Sequence, residues 1–248
     1  MFEHLEPNAP NDNSKYKDID YWNFRYSKEE SYEWCKSYIE FKHLMKDHIQ
    51  KTDRILILGC GNSNLSEDLY KDGYENITNI DFSSVAIETA SKKTQSKKML
   101  LLFVPESFDV ILEKATLDAL LVDEKDPWRL SKDADALLKS ILLQISTLLT
   151  DGGKFISLTF AQPHFRKKIM CHRRYNWSYK YFTYGSSFHY FFYVMTKGES
   201  FLCSSSEEEE EESEKENGHK RHNLSFCTSG ESDNIEYLNK ISDELFQV

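Results

Sequence analysis

A short apolar run that ends in two closely spaced glycines limits the possible folds of this chain more than any other stretch. The run is Ile55–Leu58, and Gly59 and Gly61 follow it before a helical pattern begins near Leu65. Four apolar residues without a polar break are typical of a strand buried on both faces of a parallel sheet. A strand, a glycine turn and a helix in this order are the setting in which a Gly-x-Gly pattern indicates a ligand site. The pattern alone is weak, because many tight turns carry two glycines and bind nothing.

An acidic residue ends the next predicted strand. Asp81 follows the β-branched run at 77–80, 22 residues after Gly59, which is close to the ~20 expected of a carboxylate that holds ribose hydroxyls. The alternative is that Asp81 serves only as a cap or turn residue. The third glycine of a dinucleotide-binding turn is absent after Gly61. The pattern therefore favours a nucleoside without phosphates, such as S-adenosylmethionine.

Strand patterns alternate with helical patterns along most of the chain. Further strands are predicted at 99–104, 108–112, 154–160 and 187–196, and helices at 38–49, 83–93 and 133–149. We expect the glycines at 152 and 153 to stop the last helix. The alternation predicts an α/β fold with a doubly wound, mostly parallel sheet and right-handed crossovers. Residues 1–15 and the acidic, low-complexity tail 201–248 are expected to be disordered, which leaves one domain at 16–200.

The net charge is carried almost entirely by the tail. The chain has a net charge of −10, and residues 201–248 contribute −9 of it through 13 acids and 4 bases. No run approaches the ~20 apolar residues of a membrane span, and the N-terminus has no apolar signal-peptide core. The five widely spaced cysteines predict neither a disulfide framework nor a Cys-x-x-Cys metal pair. Free thiols fit a reducing compartment, so we expect a cytoplasmic protein without a metal.

A dense aromatic group precedes the first strand. Its members are Trp22, Phe24, Tyr26, Tyr32 and Trp34. One interpretation is an N-terminal arm that packs on the sheet. The other is a lid over an adenine ring or a sulfonium cation, since both bind aromatic faces. The sequence leaves both interpretations open.

Basic and aromatic residues are interleaved from 166 to 184. The bases are Arg166, Lys167, Lys168, Arg173, Arg174 and Lys180. Such interleaving occurs in nucleic-acid-binding surfaces. However, residues 1–200 are nearly neutral, with 27 bases and 28 acids, so an acidic protein surface or simple solvation is favoured over nucleic acid. Aromatic residues here either line a channel for a substrate side chain or pack an edge strand: Tyr175, Trp177, Tyr179, Tyr181, Tyr184, His189 and Tyr190.

Several segments resemble one known family. The segments are 21–26, 58–63, 81–84, 108–120, 152–156 and 163–189. Over about residues 16–198 the chain is similar to the seven-strand, Rossmann-like class I methyltransferases, and within them to the lysine methyltransferases of elongation factor 1-alpha. The resemblance implies a seven-strand sheet and a cytosolic enzyme that uses S-adenosylmethionine. It also implies a protein substrate, elongation factor 1-alpha.

The resemblance also implies a set of cofactor-binding residues. By motif position Gly59 would line the turn, Asp81 would hold the ribose, Phe82 would pack on the adenine and Lys114 would lie beside the ligand. The residues that would close the site from the arm are Trp22, Tyr26 and Trp34. Without the resemblance, Lys114 would be interpreted as a solvated strand terminus. No general base is predicted.

One segment departs from the family pattern. Family members carry an adenine-binding acid between the second helix and the strand that begins at Phe108, and the segment 91–107 has none of that type. Only 26 residues separate Asp81 from Phe108. A helix of ~11 residues, a strand of ~5 and two loops of ~4 nearly fill that length. A second hypothesis is therefore a methyltransferase-like scaffold with impaired cofactor binding.

The chemistry leaves one further hypothesis and one further pair of candidates. A nicotinamide-dependent oxidoreductase on a similar sheet is disfavoured by the missing third glycine. If the chain is a lysine methyltransferase, Glu113 and Asp118 are candidates to orient the substrate ammonium group.

Overall fold

The computed structural model describes residues 9–94, 104–126 and 128–199. The described residues form the α-helices α1 (Ile19–Lys28), α2 (Tyr38–Lys46), α3 (Leu65–Lys71), α4 (Ser84–Thr94), α5 (Thr116–Leu120), α6 (Lys132–Leu148) and α7 (Pro163–Met170). The strands are β1 (Ile55–Leu58), β2 (Ile77–Ile80), β3 (Phe108–Lys114), β4 (Leu149–Thr159), β5 (Lys180–Tyr184) and β6 (Tyr190–Thr196). Two 3-10 helices lie at Asn13–Lys17 and Arg173–Tyr175. The predicted acidic tail lies outside the described residues.

The strands form one mixed sheet in the order β2-β1-β3-β4-β6-β5. The first four strands are parallel, and β6 and β5 are antiparallel to their neighbours. The prediction of an α/β, mostly parallel sheet is therefore confirmed. The strand predicted at 99–104 lies, apart from Val104, outside the described residues, so a seventh strand stays a prediction. The chain reverses its direction of winding between β1 and β3, which is the point where open α/β sheets bind ligands.

Apolar side chains cover both faces of the sheet. On one face Phe41 and Met45 of α2 pack with Leu69 of α3, and each is fully buried. On the other face α6 packs against β4, where Leu142 and Phe155 have no exposed surface. Burying a leucine or phenylalanine side chain contributes about 1.5–3 kcal/mol. The two layers hold the parallel strands rigidly, so their carboxyl ends form a fixed edge.

The structure corrects the prediction for the end of α6. The helix begins after Ser131, whose hydroxyl accepts from the Ala134 amide at 3.2 Å, as an N-cap residue does. It ends at Leu148, and Leu149 already has extended backbone and opens β4. Gly152 therefore lies inside a strand, and the expected glycine stop is wrong.

The aromatic segment after α7 divides between the core and the surface. Tyr175 and Trp177 are buried against the α6 face, and the Trp177 indole donates to the Met170 carbonyl at 2.8 Å. Of the two interpretations left open for these residues, the substrate channel is therefore wrong, and both side chains pack in the core. Arg166 is also buried and does not belong to an exposed basic surface. Tyr184, at the end of the edge strand β5, is buried beside the N-terminal arm.

Cys35 and Cys60 are buried free thiols, as expected of these two residues. Across the described ranges, each helix is too short or too polar to cross a bilayer.

Candidate functional site

The ends of β1 and β2 are joined by the glycine turn. The backbone amides of Gly59 and Cys60 donate to the Ile80 carbonyl at 2.9 and 3.1 Å. Gly59 and Gly61 have φ angles of +67° and +50°, a left-handed backbone that glycine adopts without a steric penalty. The turn is thereby fixed beside the residue that follows β2, which is Asp81.

The Asp81 carboxylate faces the glycine turn. Its Oδ2 accepts from the Gly61 amide at 2.8 Å, and its Oδ1 accepts from the Ser83 amide at 2.8 Å. Burial raises the pKa of this carboxyl and the hydrogen bonds from the two amides lower it. Burial has the larger effect, so the pKa is about 6. A carboxylate oxygen can accept a second hydrogen bond, so both oxygens retain capacity for hydroxyl donors such as those of a ribose.

At both glycines a neighbouring side chain occupies the space that a Cβ would need. A Cβ at Gly59 would lie 2.2 Å from the Thr116 Oγ1, and a Cβ at Gly61 would lie 2.8 Å from the Tyr26 hydroxyl oxygen. Thr116 uses that position to donate to the Leu58 carbonyl at 2.9 Å. The absence of a Cβ at Gly59 therefore serves the packing of α5, and at Gly61 it lets the arm close over the turn.

The aromatic arm packs on itself and on the turn. Trp22 is buried, stacks on Tyr26 at 5.2 Å between ring centroids, and donates its indole N–H to the Tyr16 carbonyl. Trp34 lies edge-on to Trp22 at 6.4 Å. Burial and the nearby Asp81 charge raise the pKa of the Tyr26 hydroxyl, so it stays protonated at neutral pH. The packing interpretation of the arm is therefore confirmed, and its role as a lid over a ligand stays a prediction.

Lys114 connects the arm to the end of β3. Its side chain is only 5% exposed, so the interpretation as a solvated strand terminus is wrong. The Nζ donates to the Glu33 Oε2 at 2.8 Å and to the Trp34 carbonyl at 2.9 Å. These contacts use two of its three N–H donors. One donor remains for an anionic group of a ligand.

Glu33 is a site residue that the sequence did not indicate. Besides Lys114, its carboxylate accepts from the Ser63 hydroxyl at 2.8 Å and from the Asn64 amide at 2.6 Å. It therefore joins the arm, the glycine turn and β3 in one network. The only sequence signal is an acid placed among aromatics, and nothing local shows that its partner is 81 residues away.

A second buried polar group lies at the ends of β3 and β4. Glu113 is fully buried; its Oε2 accepts from the Thr116 and Leu117 amides at 2.9 and 3.3 Å, and its Oε1 accepts from the Ser157 hydroxyl. Burial, with the Asp118 charge, raises the pKa of Glu113 to about 7. Oε2 thus holds the start of α5 and Oε1 holds Ser157 of β4, so both oxygens are occupied and Glu113 is a structural anchor.

The structure brings most of the predicted site residues together. Asp81, Gly59 and Tyr26 surround the turn, while Trp22, Trp34 and Lys114 adjoin it through the arm. Phe82 follows Asp81 and is half-buried. In the part of the chain that the structure describes, no group of His, Cys, Asp and Glu side chains could hold a metal ion.

Three curated proteins are similar to this chain. EEF1A lysine methyltransferase 4 from Mus musculus is 39% identical over 210 residues, which cover 80% of this chain and 82% of that protein. The Bos taurus protein of the same name is 38% identical over 205 residues and covers 78% and 80%. The eEF1A lysine and N-terminal methyltransferase from Bos taurus is 32% identical over 175 residues, or 66% of this chain and 24% of that protein.

A family model described as a methyltransferase domain matches residues 49–218. The chain belongs to this methyltransferase family. A chain of the solved complex between the Haloferax volcanii Trm112 methyltransferase activator and a methyltransferase has a TM-score of 0.51 and 12% identity, and the match covers 75% of this chain and 99% of that one. At that identity the likeness shows the fold alone. The cofactor of the methyltransferase is S-adenosylmethionine.

The residues of the site fit that cofactor. The Asp81 carboxylate suits the ribose hydroxyls, and the remaining N–H of Lys114 suits a carboxylate. The aromatic faces of the arm suit an adenine ring or a sulfonium group. These assignments to individual residues stay predictions.

Proposed function

We propose that this methyltransferase transfers a methyl group from S-adenosylmethionine to a lysine side chain of elongation factor 1-alpha. The proposal combines the similarity to two EEF1A lysine methyltransferases with one observation on this chain. The observation is that the Asp81 carboxylate accepts a hydrogen bond from the Gly61 amide at 2.8 Å. A carboxylate held at that point at the switch of an α/β sheet is suited to a ribose. The similarity covers 82% of the mouse relative, so most of that protein has a counterpart in this chain.

In this proposal each residue has a binding role. Asp81 holds the ribose hydroxyls, Phe82 packs on the adenine and Lys114 holds the carboxylate of the amino-acid moiety. The residues that close the site from the arm are Trp22, Tyr26 and Trp34. S-adenosylmethionine supplies a methyl group that is bound to a sulfonium sulfur. The lone pair of the amine nitrogen forms the new bond to the methyl carbon, and the electrons of the broken carbon–sulfur bond stay on sulfur. The chain contributes position and electrostatics.

The substrate amine has to be neutral when it attacks. A lysine side chain in water has a pKa near ~10.4, and burial disfavours the charged form. Around the end of β3 the buried Tyr184 and the arm exclude water. A lysine that enters this region loses a proton to water more readily than in solution. We also propose a cytoplasmic location, where elongation factor 1-alpha acts.

A methyl-transfer assay tests the proposal. Full-length protein, labelled S-adenosylmethionine and purified elongation factor 1-alpha are incubated, and the modified residue is identified by mass spectrometry. We expect label on lysine, and a loss of at least about 100-fold in the Asp81→Asn variant, since the ribose contact positions the reacting group.

The matched control is Asp109→Asn. Asp109 is also a half-buried carboxylate on a parallel strand, but it lies at the start of β3, at the opposite end of the sheet, where it pairs with Arg54 at 2.9 Å. That variant loses an ion pair and should keep its activity. No label with wild-type protein, or equal activity in both variants, contradicts the proposal. Wild-type protein that neither binds S-adenosylhomocysteine nor transfers a methyl group would instead favour the scaffold hypothesis.

A further inference from the structure

A buried carboxylate next to the site has one oxygen without a partner. The Asp118 Oδ1 accepts from the Arg166 Nη2 at 2.6 Å and from the Thr159 hydroxyl at 2.7 Å. The Asp118 Oδ2 is buried and has no hydrogen-bond partner, and the Arg166 Nε is buried and unpartnered as well. The side chains of Asp118 and Arg166 are 8% and 3% exposed. A buried polar atom left unpaired costs about 1–3 kcal/mol, so it requires an explanation.

The position of this carboxylate favours a ligand over a purely structural pair. Asp118 lies on α5, directly after the end of β3, and Thr159 ends β4. The carboxyl ends of these strands are the ligand-binding edge of the sheet. One carboxylate oxygen suffices to hold Arg166, so the ion pair does not account for the second. Glu113, in contrast, has both oxygens occupied.

A strained turn of the arm lies within electrostatic reach of Asp118. Cys35 and Lys36 have φ angles of +51° and +76°, and a left-handed backbone costs a residue other than glycine about 1–3 kcal/mol. The Tyr184 hydroxyl donates to the Cys35 carbonyl at 2.7 Å. Burial and the Asp118 charge raise the pKa of the Cys35 thiol, which also lies near Lys114, Glu113 and Arg166. Displacement of this turn would release the strain of both residues and break the Tyr184 hydrogen bond.

We propose that the Asp118 Oδ2 accepts a hydrogen bond from the amine of the substrate lysine, which enters when the Cys35–Lys36 turn is displaced. The inference rests on the proposed function and names its substrate-orienting residue. An amine that donates one hydrogen to this oxygen has its lone pair held in one direction. Arg166 and Thr159 are positioning residues, because they fix the Asp118 carboxylate through its other oxygen.

The first test is Asp118→Asn, measured with elongation factor 1-alpha as substrate. We expect kcat to fall about 100-fold, as for a misplaced reacting group, while KM changes by less than about threefold and the Kd for S-adenosylhomocysteine is unchanged. The Kd is a readout that does not depend on activity. Since Arg166 would then lack its ion-pair partner, this variant can lose stability, and a milder variant is needed.

The second variant is Thr159→Val, which leaves Oδ2 in place. It removes the hydrogen bond to Oδ1 and also the one that the Thr159 hydroxyl accepts from the Ala161 amide at 2.9 Å. We expect kcat to fall about 10-fold, because the carboxylate is held in fewer directions. Its matched control is Ser146→Ala, which removes a buried hydroxyl that donates to the Tyr175 carbonyl at 2.6 Å. Ser146 lies near the start of β4, away from the carboxyl ends of the strands. That control should lose stability and keep its kcat.

The outcomes separate this inference from the proposed function. Folded Asp118→Asn or Thr159→Val protein with a wild-type kcat overturns the inference and leaves the function intact. Wild-type protein that binds S-adenosylhomocysteine and transfers no methyl group overturns the proposed function and the inference with it. A loss of kcat in both variants at constant cofactor affinity, with Ser146→Ala unaffected, supports the inference.

Discussion

The contact between Gly61 and Tyr26 yields a prediction whose size follows from the structure. In Gly61→Ala the new Cβ would lie 2.8 Å from the Tyr26 hydroxyl oxygen, where ordinary contact begins at 3.4 Å. Tyr26 must therefore retreat by a few tenths of an ångström, and it takes with it the Trp22 ring on which it stacks. The left-handed φ of +50° adds about 1–2 kcal/mol of strain in alanine.

Gly152→Ala separates the strain from the clash. Gly152 has a φ of +74°, and a Cβ there would meet nothing within 4 Å. Gly152→Ala should therefore lose about 1–2 kcal/mol of unfolding free energy in urea, and Gly61→Ala should lose at least as much, because the clash adds to the strain. Only Gly61→Ala should weaken S-adenosylhomocysteine binding in calorimetry, by about 10-fold, or 1.4 kcal/mol, because only there does the arm move.

A double variant identifies the atom responsible. Tyr26→Phe removes the hydroxyl, and the next atom of the ring is already at an ordinary 3.4 Å from the new Cβ. Adding Gly61→Ala to Tyr26→Phe should then change the affinity by less than about threefold, which is a coupling of about 0.7 kcal/mol or more. If Gly61→Ala binds as well as Gly152→Ala, or if the two changes are additive, closure of the arm through Tyr26 is refuted.

Three further predictions concern stability. Lys114→Met should lower the unfolding free energy by about 2–3 kcal/mol, which is less than for a fully buried pair because Glu33 is 22% exposed. In urea titrations, the double variant Glu33→Gln/Lys114→Met should lose less than the sum of the two single losses. Because burial raises the pKa values of Asp81 to about 6 and Glu113 to about 7, folding favours their protonated forms, and that stability is lost as the pH rises through these values. The Tm without ligand should fall from pH 5 to 8, with a flatter profile in Asp81→Asn; a rising Tm contradicts this. Trp177→Ala should cost about 3–5 kcal/mol, as for a buried tryptophan, whereas Trp128→Ala, at a 57% exposed position, should change the Tm little; equal losses would refute the core placement of Trp177.

Local patterns were sufficient for the framework of the fold. The apolar run Ile55–Leu58 and the acid at 81 are each defined within a few residues, and parallel pairing of β1 and β2 then brings Asp81 to the glycine turn. The predicted end of α6 was wrong because it relied on glycine as a common helix stop. In the structure β4 already begins at Leu149, so Gly152 lies within the strand.

Long-range pairs could not be predicted from the sequence. Glu33 and Lys114 are 81 residues apart, and Asp118 and Arg166 are 48 apart. Each pair forms only because the sheet brings the arm, α5 and α7 to one edge. The same limit applies to Arg166, which resembles its basic neighbours in sequence but is buried. It also applies to Trp177, for which the sequence left a channel open although the side chain packs with α6.

Calorimetric titration of the full-length chain tests the central claim, that the ends of β1 and β2 bind a nucleoside cofactor at the Asp81 carboxylate, which the Gly61 amide holds beside the glycine turn. The chain is titrated in parallel with S-adenosylhomocysteine and with NAD. We predict one-to-one binding of S-adenosylhomocysteine that Asp81→Asn abolishes and Asp109→Asn retains, and no heat with NAD. No binding of S-adenosylhomocysteine to the wild-type protein, or binding that is insensitive to Asp81→Asn, would contradict the claim.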